Sequence, residues 1–175
     1  MITKSNESPA MREDDLKIFV KGTENFFKQV TKMTAEVSMP FIKESTDHVM
    51  NDFSAVIGIS GKHRGCVYYT APREMIGELM GHFGETDRSD ELLMDCVGEI
   101  ANTISGNARE HLGPGFMISV PVVIRGKAED VRFPKDAPAF VIPITWNGYR
   151  SSLILCLKSG DREMPAFDFG SLEES

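Results

Sequence analysis

From Asp14 onward the apolar residues fall at Leu16, Phe19, Val20, Phe26, Phe27, Val30 and Met33. Most of the steps are those of one face of an amphipathic helix. Asp14 and Asp15 sit where the positive end of that helix's dipole favours acids. The pattern then turns strand-like. Ala35 to Ile42 is a short, weak candidate, Phe53 to Ser60 (FSAVIGIS) a stronger one. Gly65 to Thr70 (GCVYYT) follows a Gly-Lys-His-Arg turn, which predicts a hairpin. Pro72 to Phe83 returns to helical spacing through Met75, Ile76, Leu79 and Met80. A polar break, Gly84 to Ser89, precedes the longest predicted helix, Asp90 to about Leu112, which Gly113-Pro114-Gly115 stops.

Met117 to Ile124 (MISVPVVI) is β-rich, and Pro121 inside it predicts an edge strand or a bulge. A further short strand is expected near Lys127 to Phe133. Ala139 to Trp146 and Tyr149 to Leu157 flank Asn147-Gly148, a strong short-range hairpin signal. The order α-β-β-β-α-α-β-β-β predicts an α+β fold, with long helices packed on one face of an antiparallel sheet. A long helix followed by strands that end in a hairpin occurs twice, over residues 14 to 70 and 90 to 157. That is an internal pseudo-two-fold repeat.

A length of 175 residues suits one domain with a sizeable core. The expected organisation is a disordered leader over 1–13, a single domain over 14–160, and an acidic, flexible tail over 161–175. No apolar run reaches eighteen residues, so no membrane-spanning helix and no membrane partner are expected. Met1 to Asp15 is polar and lacks the apolar core of a signal peptide, which points to the cytoplasm. The net charge is −7, and the densest basic stretch, Lys62-His63-Arg64, is too short for a nucleic-acid patch. Cys66, Cys96 and Cys156 form no Cys-x-x-Cys pair and read as reduced, buried thiols.

On a helical wheel of residues 90 to 112, Leu93, Val97, Ile100, Ile104 and Ala108 share one face. Asp95, Glu99, Asn102, Gly106 and Arg109 share the other. Glu99 and Asn102 are three apart and therefore neighbours on the helix surface. Any surface helix has a polar stripe, but this one also tolerates Gly98 and Gly106, each costing roughly 1 kcal/mol against Ala. Ser105 lies nearby. A face stripped of bulk admits the close approach of another protein.

The run Asp95-Cys-Val-Gly-Glu99-Ile-Ala-Asn102 matches the D/S-x-x-x-E-x-x-N pattern of the CheC/CheX/FliY phosphatases, and GEIANTISGNA resembles their helix. Pro121 is the candidate for the proline that follows the motif in that family. Val56 to Gly81 (VIGISGKHRGCVYYTAPREMIGELMG) also resembles CheX, and the resemblance spans roughly residues 15 to 160. The CheC proteins carry two copies of the motif; here Glu24-Asn25 are adjacent, so one copy remains, as in CheX.

The resemblance implies a homodimeric phosphatase of phosphorylated CheY-like response-regulator receivers. Asn102 would position the attacking water and Glu99 would pair with the receiver's lysine. Asp95, Gly98 and Gly106 would meet the partner, with Asp95 as readily a solvated acid. The chain would need no metal or cofactor of its own; the Mg2+ belongs to the receiver. The alternatives are a non-catalytic module of the same superfamily that docks on a receiver or flagellar-switch protein, and a structural dimerisation domain. Other signals fall away. Gly58-Ile-Ser-Gly61-Lys62 lacks the spacing of a phosphate loop, and Asp168-Phe169-Gly170 stands without the rest of a kinase. His48, His63, His82 and His111 lack zinc-site spacing.

Overall fold

The computed structural model describes residues 11–45, 49–126, 133, 135 and 137–159. Among these residues, three helices and eight strands run in the order α1 (Glu13–Thr31), β1 (Glu36–Val37), β2 (Phe41–Lys43), β3 (Phe53–Gly61), β4 (His63–Ala71), α2 (Arg73–His82), α3 (Asp90–Leu112), β5 (Phe116–Ile118), β6 (Val122–Arg125), β7 (Ala139–Trp146) and β8 (Tyr149–Ser159). All strand pairs among the described residues are antiparallel. The architecture is the α+β one that the hydrophobic pattern predicts.

The strand order is β1-β7-β8-β4-β3-β5, with β2 also on β7 and β6 also on β3. Each half therefore lends its first short strands to the other. The pieces after α1 edge β7 of the second half; the pieces after α3 edge β3 of the first. The centre of the sheet is the β4–β8 pair, with Cys66 opposite Cys156 and Tyr69 opposite Leu153. This exchange gives the repeat its pseudo-two-fold form.

The helices cover one face of the sheet. Phe19, Phe26 and Phe27 of α1, Leu79 of α2 and Leu93, Val97, Ile100 and Ile104 of α3 are buried against Ile57, Val67, Leu153 and Leu155. Trp146 lies under this layer and donates its Nε1–H to Thr31 Oγ1 at 3.2 Å, which satisfies a buried donor. The opposite face holds a smaller cluster of Tyr68, Val141, Ile154 and Cys156, with Phe133 edge-on to Tyr68.

Several local expectations shift. Met33 does not join the buried face: α1 ends at Thr31, Lys32 turns left-handed (φ 59°), and Met33 is 39% exposed. The candidate strand 35–42 is two pieces interrupted at Pro40, which has no N–H for the ladder. The strand 117–124 is likewise two pieces around Ser119–Pro121, both at an edge on β3. Met11 packs into the core, so ordered packing begins inside the segment assigned to the leader. Residues 1–10, residues 127–132 of the further strand expected near Lys127 to Phe133, and the tail from 160 lie outside the described residues.

Candidate functional site

Helix α3 is anchored at both ends. At its start, the Asp90 carboxylate accepts from Arg73 at 2.5 Å and meets Arg125 at 2.7 Å. The Arg73 hydrogen bond, and then the charges of Arg73 and Arg125, hold that carboxyl below its ordinary range. One side chain thus ties α3 to the first turn of α2 and the end of β6. At its end, the Gly113 N–H donates to Arg109 O at 2.9 Å. Between these anchors Leu93, Val97, Ile100, Ile104 and Ala108 are all buried, which fixes the helix rotation.

The opposite face is therefore turned outward. Asp95, Glu99 and Arg109 are exposed, and Asn102 and Gly106 are half-buried. Neither Glu99 nor Asn102 spends its side chain on a hydrogen bond or ion pair among the described residues. A carboxylate and an amide stand one turn apart, both available to an incoming group.

The two glycines separate. A Cβ on Gly106 would meet open space, so this position does leave the surface low beside Asn102. Gly98 is buried instead. A Cβ there would stand 3.2 Å from Val123 Cγ2 and 3.6 Å from Pro121 Cγ. The close approach that Gly98 permits is that of this chain's own edge strand, which corrects its expected place on the partner face. Ser105 is also buried, and its hydroxyl has no partner among the described residues.

Pro121 is held over α3 by its neighbour. Ser119 N–H donates to Gly58 O at 2.9 Å, and Gly58 N–H donates to Ser119 Oγ at 2.8 Å. These bonds fix the Ser119–Pro121 segment on β3, where Pro121 lies against Gly98 of the motif helix, while Val120 (83%) and Val122 (64%) flank it in solvent. Sequence periodicity alone had no means of pairing Gly98 with Pro121, because they are far apart in the chain. The thiol of Cys96, on the buried side of α3, is pushed up to about 11 by burial, so it is no nucleophile near neutral pH.

The packing predicts opposite behaviour for the glycines. Gly98→Leu overpacks against Pro121 and Val123 and is expected to cost about 1–3 kcal/mol in urea unfolding. Gly106→Ala is expected to be neutral or to stabilise by up to about 1 kcal/mol, since only helix propensity changes. Equal responses would show that the α3–β6 contact does not select Gly98.

An eight-stranded antiparallel sheet built from two halves that exchange edge strands, with an outward-facing Glu-x-x-Asn on its second long helix, defines a CheC-like protein. The solved structures agree. A CheC-like superfamily protein from Shewanella sp. PV-4 superposes with a TM-score of 0.75 at 26% identity, over 85% of this chain and 100% of that one. The chemotaxis protein CheX from Vibrio vulnificus gives 0.73 at 26% identity, over 83% and 99%. CheX in the CheX–CheY–BeF3–Mg2+ complex from Borrelia burgdorferi gives 0.67 at 19% identity over 85% and 100%, a likeness of fold. No curated protein matches. The family model for the chemotaxis phosphatase CheX matches residues 53–145, more than half of the chain, and the protein belongs to the CheX family.

Proposed function

We propose that this protein hydrolyses the aspartyl phosphate of a CheY-like receiver domain, with Asn102 and Glu99 as the residues that act. The observation that carries this is the pair itself: a carboxylate and an amide, without side-chain partners among the described residues, side by side on an outward helix face, in a family of chemotaxis phosphatases. The Borrelia CheX is solved with CheY, Mg2+ and beryllofluoride, a group that stands in for phosphoryl.

Aspartyl phosphate breaks down by in-line attack of water, so catalysis is mostly positioning and electrostatics. The Asn102 carbonyl accepts a hydrogen bond from the attacking water and holds it in line. The Glu99 carboxylate pairs with the receiver's lysine and fixes the docking register. Gly106 keeps the helix low enough for that approach, and Asp95, one turn before Glu99, reaches the rim of the contact. The divalent cation belongs to the receiver's phosphorylation site; this chain supplies no metal ligand to the reaction. The same reading carries a homodimer acting in the cytoplasm, for which the β5–β6 edge offers exposed Met117 and Val122.

The test is dephosphorylation of receivers from the same cell, charged with a small phosphodonor, with and without the protein. Acceleration at catalytic concentrations supports the proposal. Tight binding without acceleration would leave a docking module. Glu99→Ala is expected to weaken binding to a beryllofluoride-activated receiver by about tenfold or more, the loss of one charge-assisted hydrogen bond. Unchanged affinity in a titration would remove Glu99 from docking.

A further inference from the structure

Outside the Glu99–Asn102 face, a groove of about 380 Å³ runs between the two long helices. Its walls include Lys17, Lys21 and Gln29 of α1 and Asn107, Glu110 and His111 of α3. A second depression continues it along Lys28 and Lys32. On the α1 wheel, Lys17, Lys21 and Lys28 fall within about 40° of one another, and Lys32 follows at the helix C-cap. All four are exposed. Lys17 is engaged by Glu13 at 2.9 Å, and Lys32 donates to Gln29 O at 3.0 Å. Lys21 and Lys28 have no ion-pair or hydrogen-bond partner among the described residues. The acids on this side are Glu13, Asp14, Glu24 and Glu110. Lys28 near the helix C-terminus is favoured by the dipole, but Lys17 and Lys21, in its first half, are not. In a chain of net charge −7, the lining of the two depressions, four lysines against Glu110, is net positive, while Glu13, Asp14 and Glu24 beside it bring the wider surface to neutrality.

The chain leaves its last strand close to that stripe. Ser159, the final residue of β8, pairs with His63. His63 Nε2 lies 3.4 Å from the buried Asp15 carboxylate in the first turn of α1. The segment that follows, 161–175, carries Asp161, Glu163, Asp168, Glu173 and Glu174 against Arg162, with Phe167, Phe169 and Leu172 between the acids. Its sign is opposite to that of the stripe.

We propose that residues 161–175 dock in the groove between α1 and α3, their acids on the α1 lysines. Reach is ample: fifteen residues span up to about 50 Å, while the nineteen of α1 cover about 28 Å. Tethering sets an effective concentration on the order of millimolar, so weak charge pairs suffice. The groove borders the receiver face, since Asn107 and Glu110 lie within about two turns of Asn102. A docked segment is then placed to hinder the receiver, a consequence that rests on the function proposed above. The docking itself does not, and its test reads no activity.

The experiment is zero-length carbodiimide cross-linking of the full chain, read by peptide mass spectrometry. The expected result is that links join Lys21 or Lys28 to acids of 161–175 and weaken at about 0.5 M salt, where screening is strong. Links from Lys17 or Lys32, which keep their amines, to the same acids should fall about fivefold in a Lys21→Glu, Lys28→Glu variant, the effect of losing two surface ion pairs. Adding Glu173→Lys and Glu174→Lys should restore links between positions 21 or 28 and 173 or 174. All substituted positions are on the surface or in the segment, and circular dichroism checks folding. Links confined to Lys62, or spread evenly over the surface lysines, would overturn the proposal. So would isotopically mixed links in a blend of labelled and unlabelled chains, which would seat a second copy in the groove.

Discussion

Asn102→Ala is expected to abolish most of the acceleration of receiver dephosphorylation, by about a hundredfold or more, and to leave the fold intact. The magnitude follows from the amide's task. A single preorganised polar group aimed at the reacting atoms is worth about 10²–10³ in rate, and a misplaced water loses the advantage of in-line geometry. The intact fold follows from burial. Asn102 is half-exposed and makes no side-chain hydrogen bond among the described residues, so its removal strands no buried partner. Alanine is also the better helix former at that position, so stability should hold or rise slightly. The check is a pair of measurements on one preparation: turnover of a phosphorylated receiver, and thermal unfolding. Full activity in the variant would remove Asn102 from catalysis. Loss of folding would make it structural. Intact binding with lost turnover separates it from Glu99, whose removal should act on affinity.

Gly65→Ala is expected to be the most damaging glycine-to-alanine change among the described residues. Gly65 lies in β4 with φ 135°, a conformation that L-residues avoid. A Cβ there would stand 1.8 Å from Cys156 O and 3.3 Å from Leu157 Cα, both backbone atoms of β8. Side-chain rotation cannot relieve such a contact, so the strands must part. They must do so at the β4–β8 junction, where the two halves of the sheet meet. A cost of about 4 kcal/mol or more is expected, in the class of exceptional substitutions. For a domain of this size, that lowers Tm by about 10 °C or more. Gly148→Ala is the control. Gly148 also has positive φ (79°), but a Cβ would meet nothing within 4 Å, so only the conformational term of about 1–2 kcal/mol remains. If the two variants melt together, steric exclusion by β8 is not what holds Gly65 as glycine.

The α3 face was legible because a helix writes its own geometry locally. Burial of Leu93, Val97, Ile100 and Ile104 follows from their spacing, and the outward direction of Asp95 and Glu99 follows from the same periodicity. The β7–β8 hairpin was legible for a similar reason. Asn147 and Gly148 both adopt positive φ, as a tight two-residue turn requires. Met33 misled because its position continues the helical pattern after the backbone has turned away at Lys32.

The chain by itself thus determined its elements, the rotation of its motif helix and the two residues on which the proposed chemistry depends. Local dihedral preference and the period of side-chain burial encode these within a few residues. Only the tertiary structure decided that each half gives its short edge strands to the other. It alone placed Pro121 on Gly98 and brought the exit of β8 beside the first turn of α1. Such contacts join residues distant along the chain. They are selected by the fit of whole surfaces, which no local pattern of polar and apolar positions contains.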